Sequence, residues 1–406
     1  MRILLISQHF YPENFKCNDV AFELVRRGHQ VVALAGIPNY PLGKFFDGYG
    51  LFRKRVEMVE GVKVIHSAVV PRGKGGAIRL ALNYFSFAFS ASVHVLCMAV
   101  HHKYDMVLVH ETSPVTVGIP AVLMKKLCGI PMYFWVLDLW PESLSAAGGI
   151  TNRYILGFFT GITKWIYRNS TRILMSSRGF EQSILEKGDF ADRLVYFPNW
   201  ADRDLLQKKT YSLPPLSTGF RLMFAGNMGE AQDFEHLMEA ACLLKGEKNI
   251  HFLLVGDGRK RVWVEQYISD NGLQDTVHWL GRHPLEAMPS FFEQADVMLV
   301  SLKDSLIFNL TVPAKIQAYM SAGKPILAMM NGEGPRIIGE SQCGFSTNAG
   351  NSVALAGLIR KMYAMEKDEL CLLGRNGRQF GERYFDFKKS VDHLCGMMDE
   401  NIKSNN

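Results

Sequence analysis

Residues 220–229 read FRLMFAGNMG, an apolar strand-like run closed by a turn with two glycines. A helical pattern over Glu235–Leu244 follows, then a second apolar run, His251–Val255, which ends on Gly256-Asp257-Gly258. Strand, glycine turn, helix and strand make one βαβ unit, whose crossover is right-handed. The alternation continues through a helix near 259–271, a strand near 277–280, a helix near 285–294 and a strand at Val297–Ser301. The chain opens with the same grammar. Ile3–Ser7 is a short apolar run, Gln8–Asn18 a polar loop, Asp19–Arg27 helical, and Val31–Leu34 β-branched after Gly28. Val64–Ile65, Met106–His110 and Met132–Val136 read as further strands. Uninterrupted apolar strands fit parallel sheets covered on both faces. The expected fold class is therefore α/β, with two doubly wound, Rossmann-like domains facing a cleft.

A chain of 406 residues is long enough for two such cores. The expected division is 1–195 for an N-terminal domain and 196–375 for a C-terminal domain, both Rossmann-like. Residues 376–406 are expected as a C-terminal helix packing back on the first domain. The boundary falls near 185–215, where Tyr211-Ser212-Leu213-Pro214-Pro215 reads as a linker. With 48% hydrophobic and 21% charged residues the composition is that of a folded globular protein. A net charge of +6 allows an anionic partner. No basic stripe with interleaved aromatics and no recognition motif points to nucleic acid. The seven cysteines include no CxxC pair, which suits a reducing cytosol better than a disulfide or zinc framework. MRILLIS reads as a buried strand rather than a secretion signal, so a cytoplasmic chain is expected.

Open α/β sheets bind ligands at the carboxyl ends of their strands. Gly226 and Gly229 sit at such an end and would let backbone N–H groups approach a phosphate. Gly256, Asp257, Gly258 and Arg259 end a neighbouring strand at the same edge. Lys315 follows Pro313 at a helix start, where an ammonium and the helix dipole together suit an anion. In the first half, Asp138 and Glu142 flank Trp140-Pro141 just after a strand. A carboxylate there would position or deprotonate a hydroxyl, and Trp140 would stack on a ligand face; helix capping by Asp138 is the plainer alternative. His110-Glu111 ends the strand before it and points to the same edge.

Several stretches fall in order along the chain: Tyr11-Pro12-Glu13, Pro38-Asn39-Tyr40-Pro41, Asp138-Leu139-Trp140-Pro141-Glu142, Pro198-Asn199-Trp200, Gly226 to Gln232, Gly256-Asp257-Gly258, and Val312-Pro313-Ala314-Lys315 through Tyr319 to Pro325. Together they resemble family 4 retaining glycosyltransferases of the GT-B fold. More narrowly, the chain resembles bacterial O-antigen (lipopolysaccharide) and capsule L-fucosamine (L-FucNAc) transferases of the WbuB type. The resemblance implies a UDP-sugar donor and a polyprenyl-diphosphate-linked saccharide acceptor. It implies a donor site of Gly226, Asn227, Gly229, Gln232, Gly256, Asp257, Gly258, Arg259, Arg282, His283, Pro313, Lys315 and Tyr319, with Arg282 and His283 near the base. Asp138, Glu142, Lys315 and Glu13 are the expected catalytic set, and Glu13 and Asn14 would lie under the donor phosphates or the acceptor. The family's Glu-x7-Glu pair is replaced by Leu310 and Ala318, and its Arg and Lys after the first strand of the second domain by Asn227 and about Gln232. Metal-independent transfer without a cofactor is expected from the resemblance.

Arg53, Lys54, Arg55, Lys63, Arg72, Lys74 and Arg79 precede an apolar stretch, Leu80–Val100, that contains Phe85, Phe87 and Phe89. Asn83, Ser86, Ser90, Ser92 and His94 interrupt it, so a surface-lying helix is expected rather than a membrane span. The segment 53–100 is thus read as a peripheral contact with the inner face of the plasma membrane, with a buried helix beside a solvated basic loop as the alternative. Two rival functions share the fold: a UDP-sugar 2-epimerase, and a non-catalytic nucleotide-binding subunit of a membrane assembly.

Overall fold

The computed structural model describes every residue except 102, 203, 204, 206–210 and 406, and all of their side chains except 147, 148 and 401–405. Part of the expected boundary region 185–215 thus lies outside the described residues. The chain divides into two compact units, Met1–Phe197 with Lys388–Asn406, and Pro198–Phe387.

The sheet of the first unit runs, in spatial order, β3 (Val56–Val59), β4 (Val62–Ser67), β2 (Gln30–Gly36), β1 (Arg2–Ser7), β5 (Met106–Glu111), β6 (Met132–Val136), β7 (Arg172–Met175) and β8 (Leu194–Tyr196). Every pairing is parallel except β3 with β4 at one edge. β5 and β6 are buried along their whole length, as the unbroken apolar runs require. The crossovers are α1 (Lys16–Arg26), α2 (Ala77–His101), α3 (Gly118–Cys128), α4 (Glu142–Gly148) with α5 (Arg153–Asn169), and α6 (Phe180–Leu185).

The second unit has six parallel strands in the order β11 (Val277–Gly281), β10 (Ile250–Val255), β9 (Phe220–Ala225), β12 (Val297–Ser301), β13 (Ile326–Met329) and β14 (Gly344–Thr347). Counted within the unit this is 3-2-1-4-5-6, the doubly wound order whose switch point lies beside the first strand. Leu222 and Phe224 of β9 enter one hydrophobic cluster and Met223 and Ala225 the other, so both faces are covered. The helices are α7 (Phe234–Leu243), α8 (Arg261–Asn271), α9 (Met288–Gln294), α10 (Leu306–Leu310), α11 (Ala314–Ala322), α12 (Glu333–Ser341), α13 (Ser352–Tyr363) and α14 (Lys367–Tyr384).

The closing segment differs from the single helix expected over 376–406. Residues 376–384 belong to α14, and a separate α15 (Phe387–Asn405) follows. α14 stays with the second unit because glycines let it cross α11 closely: a Cβ on Gly374 would lie 2.2 Å from the Gly323 carbonyl oxygen. α15 joins the first unit, where Arg27 Nη1 donates to Asp392 at 2.5 Å and the Tyr133 hydroxyl to the Met397 carbonyl at 2.8 Å. No glycine or proline marks the break. It is set by tertiary packing, since Phe385 is buried in the second unit's core and the Phe387 ring packs at a tilt on Trp200 at 4.8 Å.

Candidate functional site

The carboxyl ends of β9 and β10 and the first turn of α11 surround a pocket of about 960 Å3 within the second unit. The size suits a nucleotide. Ten of the thirteen residues expected at the donor site line it: Gly226, Asn227, Gly256, Asp257, Gly258, Arg259, Arg282, His283, Lys315 and Tyr319. Leu285, Met288 and Phe292 supply an apolar wall. Gly229, Gln232 and Pro313 do not line it. Pro313 is the N-cap of α11, and Gln232 reaches the pocket through its bond from the Lys315 ammonium.

Lys315 is the second residue of α11, so its charge adds to the positive end of the helix dipole. Its Nζ lies 4.1 Å from the centroid of the Phe224 ring and donates to Gln232 Oε1. Gly226 leaves room for the stem, because a Cβ there would lie 2.9 Å from Lys315 Cε. Both partners are neutral. Burial pushes the ammonium down to about 7, and no carboxylate among the described residues lifts it. A cation desolvated without an anion is costly in the empty pocket and correspondingly favourable to a phosphate.

The glycines work differently from the expectation that their N–H groups face a phosphate. Gly226 N–H donates to the Val255 carbonyl at 2.9 Å, Gly256 N–H to Gly281 at 2.8 Å, and Gly258 N–H to Asp257 Oδ1 at 2.8 Å. Their task is close approach of two loops. A Cβ on Gly256 would lie 1.9 Å from the Gly226 oxygen, and one on Gly258 2.4 Å from the Met228 oxygen. Tyr319 is likewise a positioning residue. Its buried hydroxyl accepts from Ala225 N at 3.1 Å and donates to Ala225 O at 3.2 Å, tying α11 to the end of β9. His283 Nε2 donates to the Leu280 carbonyl at 2.9 Å, and its ring stacks on Phe291. Arg259 and Arg282 are the exposed cations at the mouth.

Asp202 and Leu205 also line the pocket and were not foreseen. Their signal was faint: they follow Pro198-Asn199-Trp200 by two to five positions. That segment is held at the pocket because Gln317 Nε2 donates to the Asn199 carbonyl at 2.9 Å. Ala318, standing where the family has a carboxylate, is a small apolar part of the wall, so the described carboxylates lining the pocket are Asp202 and Asp257.

In the first unit the expected residues form a buried polar cluster. Glu13 is buried; its Oε2 lies 2.6 Å from His9 Nδ1, and its Oε1 accepts from the backbone of Asn39 and Tyr40, each at 2.6 Å. It fastens two loops together, and Asn14 is exposed. Trp140, expected to stack on a ligand, is instead core, packed against Tyr84 and Phe159. His110 and Glu111 are buried as well. Burial pushes His110 down to about 3, and burial together with the nearby Asp138 pushes the Glu111 carboxyl well up. Asp138 is also raised by burial and accepts from the Ser143 hydroxyl; α4 starts without a side-chain cap, so Asp138 is no N-cap. Glu142 Oε1 accepts from Lys187 Nζ at 2.5 Å and Ser183 Oγ at 2.7 Å. Among the described residues no group of three or more His, Cys, Asp or Glu is placed to hold a metal ion.

Residues 219–365 match the family described as "Glycosyl transferases group 1", and residues 16–200 match a "Glycosyl transferase 4-like domain". A "Probable glycosyltransferase WbjE" of Pseudomonas aeruginosa is 31% identical over 306 residues, 70% of each chain. The chain belongs to the group 1 glycosyltransferases. This glycosyltransferase is also 25% identical over 344 residues to the "Putative colanic acid biosynthesis glycosyl transferase WcaI" of Escherichia coli K12, covering 80% of this chain and 82% of the relative. Among solved structures, HepE of Anabaena in complex with UDP superposes with a TM-score of 0.71 at 13% identity, over 98% of this chain and 100% of that one. The fold is GT-B, and the enzyme class sets aside the 2-epimerase and the non-catalytic subunit.

Proposed function

We propose that this glycosyltransferase moves N-acetyl-L-fucosamine, or a related N-acetylated sugar, from a UDP-sugar to a polyprenyl-diphosphate-linked saccharide. Transfer proceeds with retention at the anomeric carbon and builds an O-antigen or capsule repeat unit at the inner face of the cytoplasmic membrane. The observation that carries the donor half of this reading is Lys315, a cation with only neutral partners, at the mouth of α11 in a nucleotide-sized pocket. The sugar and the acceptor rest on the motif resemblance and on the names of the polysaccharide enzymes matched.

In this reading the diphosphate lies against Lys315 and the first turn of α11. As the glycosidic bond breaks, the leaving UDP gathers negative charge. A fixed ammonium and the helix dipole stabilise that charge more in the transition state than in the ground state. The apolar wall of Leu285, Met288 and Phe292 takes the base, with Arg282 and His283 beside it. The donor phosphate accepts the acceptor's proton, so no metal and no enzyme base is called on. Asp138 and Glu142 shape the acceptor loop; Glu142, anchored by Lys187, sets the start of α4.

The test is transfer from UDP-, dTDP- and GDP-linked N-acetylated sugars to a polyprenyl-diphosphate saccharide, with and without chelator, followed by NMR of the product's anomeric proton. A chelator-insensitive product from the UDP donor alone, with the donor's anomeric configuration, is expected. An inverted product, or preference for another nucleotide, would refute the reading.

A further inference from the structure

α2 is the crossover between β4 and β5. Its inner face buries Phe87, Ala88, Ala91, Val95 and Met98, and four of the polar residues that interrupt its apolar sequence bond to the end of β4 and the segment 68–70 after it. Asn83 Nδ2 donates to the Val70 carbonyl at 2.6 Å, Ser86 Oγ accepts from Val70 N at 2.9 Å, Ser90 Oγ donates to Ala68 O at 2.5 Å, and His94 Nδ1 lies 3.2 Å from Ser67 Oγ. The outward face is apolar: Ile78, Leu82, Phe89, Val93, Leu96 and Val100 are all exposed, at the three- and four-residue spacing of one stripe. From Ile78 to Val100 that stripe is about 33 Å long at 1.5 Å per residue. Phe85, also on it, contacts Phe159 of α5 at 6.2 Å, and the neighbouring Phe158 and Tyr154 extend the patch. A contiguous exposed patch of this length is unusual for a soluble surface.

The charge around the patch has one sign. α2, α3 and α5 carry Arg79, Lys125, Lys126, Arg153, Lys164 and Arg168, and no Asp or Glu. Indeed no acidic residue occurs from Gly61 to Tyr104, from Thr112 to Leu137, or from Ser143 to Phe180. Much of the basic segment 53–72, by contrast, is used within the fold. Lys54 pairs with Glu57, Arg55 donates to the His66 carbonyl, and Arg72 packs on Tyr40 and Tyr84.

We propose that the α2–α5 face docks flat on an anionic lipid bilayer, with Phe89 and Phe158 in the headgroup boundary and Arg79 and Arg153 among the phosphates. This deepens the lipid-linked acceptor reading by giving the enzyme its own hold on the membrane. Two signals, apolar insertion and cationic attraction, are what stable peripheral binding needs. α2 does not span, because its inner face is bonded to the loop between the strands it connects. A second copy is disfavoured as the occupant, since the face would set its cations against themselves with no carboxylate to answer them.

The test is flotation of the full chain with vesicles of equimolar phosphatidylglycerol and phosphatidylcholine, against phosphatidylcholine alone. The wild type is expected to float with the anionic vesicles. Phe89→Ser with Phe158→Ser should weaken partition at least tenfold, and Arg79→Glu with Arg153→Glu should remove the preference for the anionic lipid. UDP-induced thermal stabilisation, unchanged in both variants, would show an intact fold and donor site. Absence of flotation, or equal flotation of the serine variant, overturns the proposal. So does a concentration-dependent dimer abolished by the same substitutions without vesicle binding. If vesicles bind but soluble and lipid-linked acceptors are used equally well, the acceptor reading falls and the docking face stands.

Discussion

Replacing Lys315 by Met should make the unliganded protein more stable while weakening its response to UDP. In the unfolded chain a lysine titrates near 10.4; in the folded pocket burial holds Lys315 at about 7. Between those values the unfolded chain binds more protons, so wild-type stability rises with pH across this window and is lowest below about 7, where both forms are charged. At ~1.4 kcal/mol per pH unit the full gap caps the cost near ~5 kcal/mol. The pocket mouth is open to solvent and the bond to Gln232 is lost on substitution, so a net gain of roughly 2 kcal/mol is expected. For a unit of this size that raises the melting temperature by about 4–8 °C. Differential scanning fluorimetry from pH 6 to pH 10 reads the effect directly. The gap between variant and wild type should shrink as pH rises, and a fixed concentration of UDP should stabilise the wild type more than the variant. A variant that melts below the wild type at pH 6 would refute the desolvation argument.

Three further outcomes follow from named contacts. Gly256→Ala forces a Cβ to within 1.9 Å of the Gly226 oxygen, so it should lower the melting temperature markedly and abolish nucleotide binding by calorimetry. Glu111 is held protonated by burial, so its folded pKa lies above the unfolded value and stability is lost as pH rises above the usual carboxylate range. Glu111→Gln should therefore leave the melting temperature unchanged near pH 4 and raise it near pH 8. Lys187→Met leaves the Glu142 carboxylate without its 2.5 Å partner, and denaturant titration should show a loss of about 3 kcal/mol, typical of a broken buried pair.

The fold was legible because its signals are local. Unbroken apolar runs such as Met132–Val136 and the glycine turns after β9 and β10 announce parallel strands. The lining of the second unit's pocket was legible for the same reason, since its residues sit at strand ends and at one helix start. What the sequence hid depends on tertiary contacts. Trp140 and Glu13 carry functional residue types in suggestive loops, yet packing turns the first into core and backbone N–H groups occupy the second. Asp202 lies in a segment without periodicity, and only the bond from Gln317 to Asn199 brings it to the pocket. The break between α14 and α15 has no helix-stop residue; it exists because Phe385 is buried in the second unit's core and Phe387 packs on Trp200.

If the pocket around Lys315 holds the diphosphate of a UDP-sugar, isothermal titration calorimetry of UDP into the wild type and into Lys315→Gln will show it, with uridine as the ligand that lacks phosphate. UDP should bind the wild type, the variant should lose at least tenfold in affinity for UDP, and uridine should bind both proteins alike. Equal affinity of the two proteins for UDP would rule out this role for Lys315.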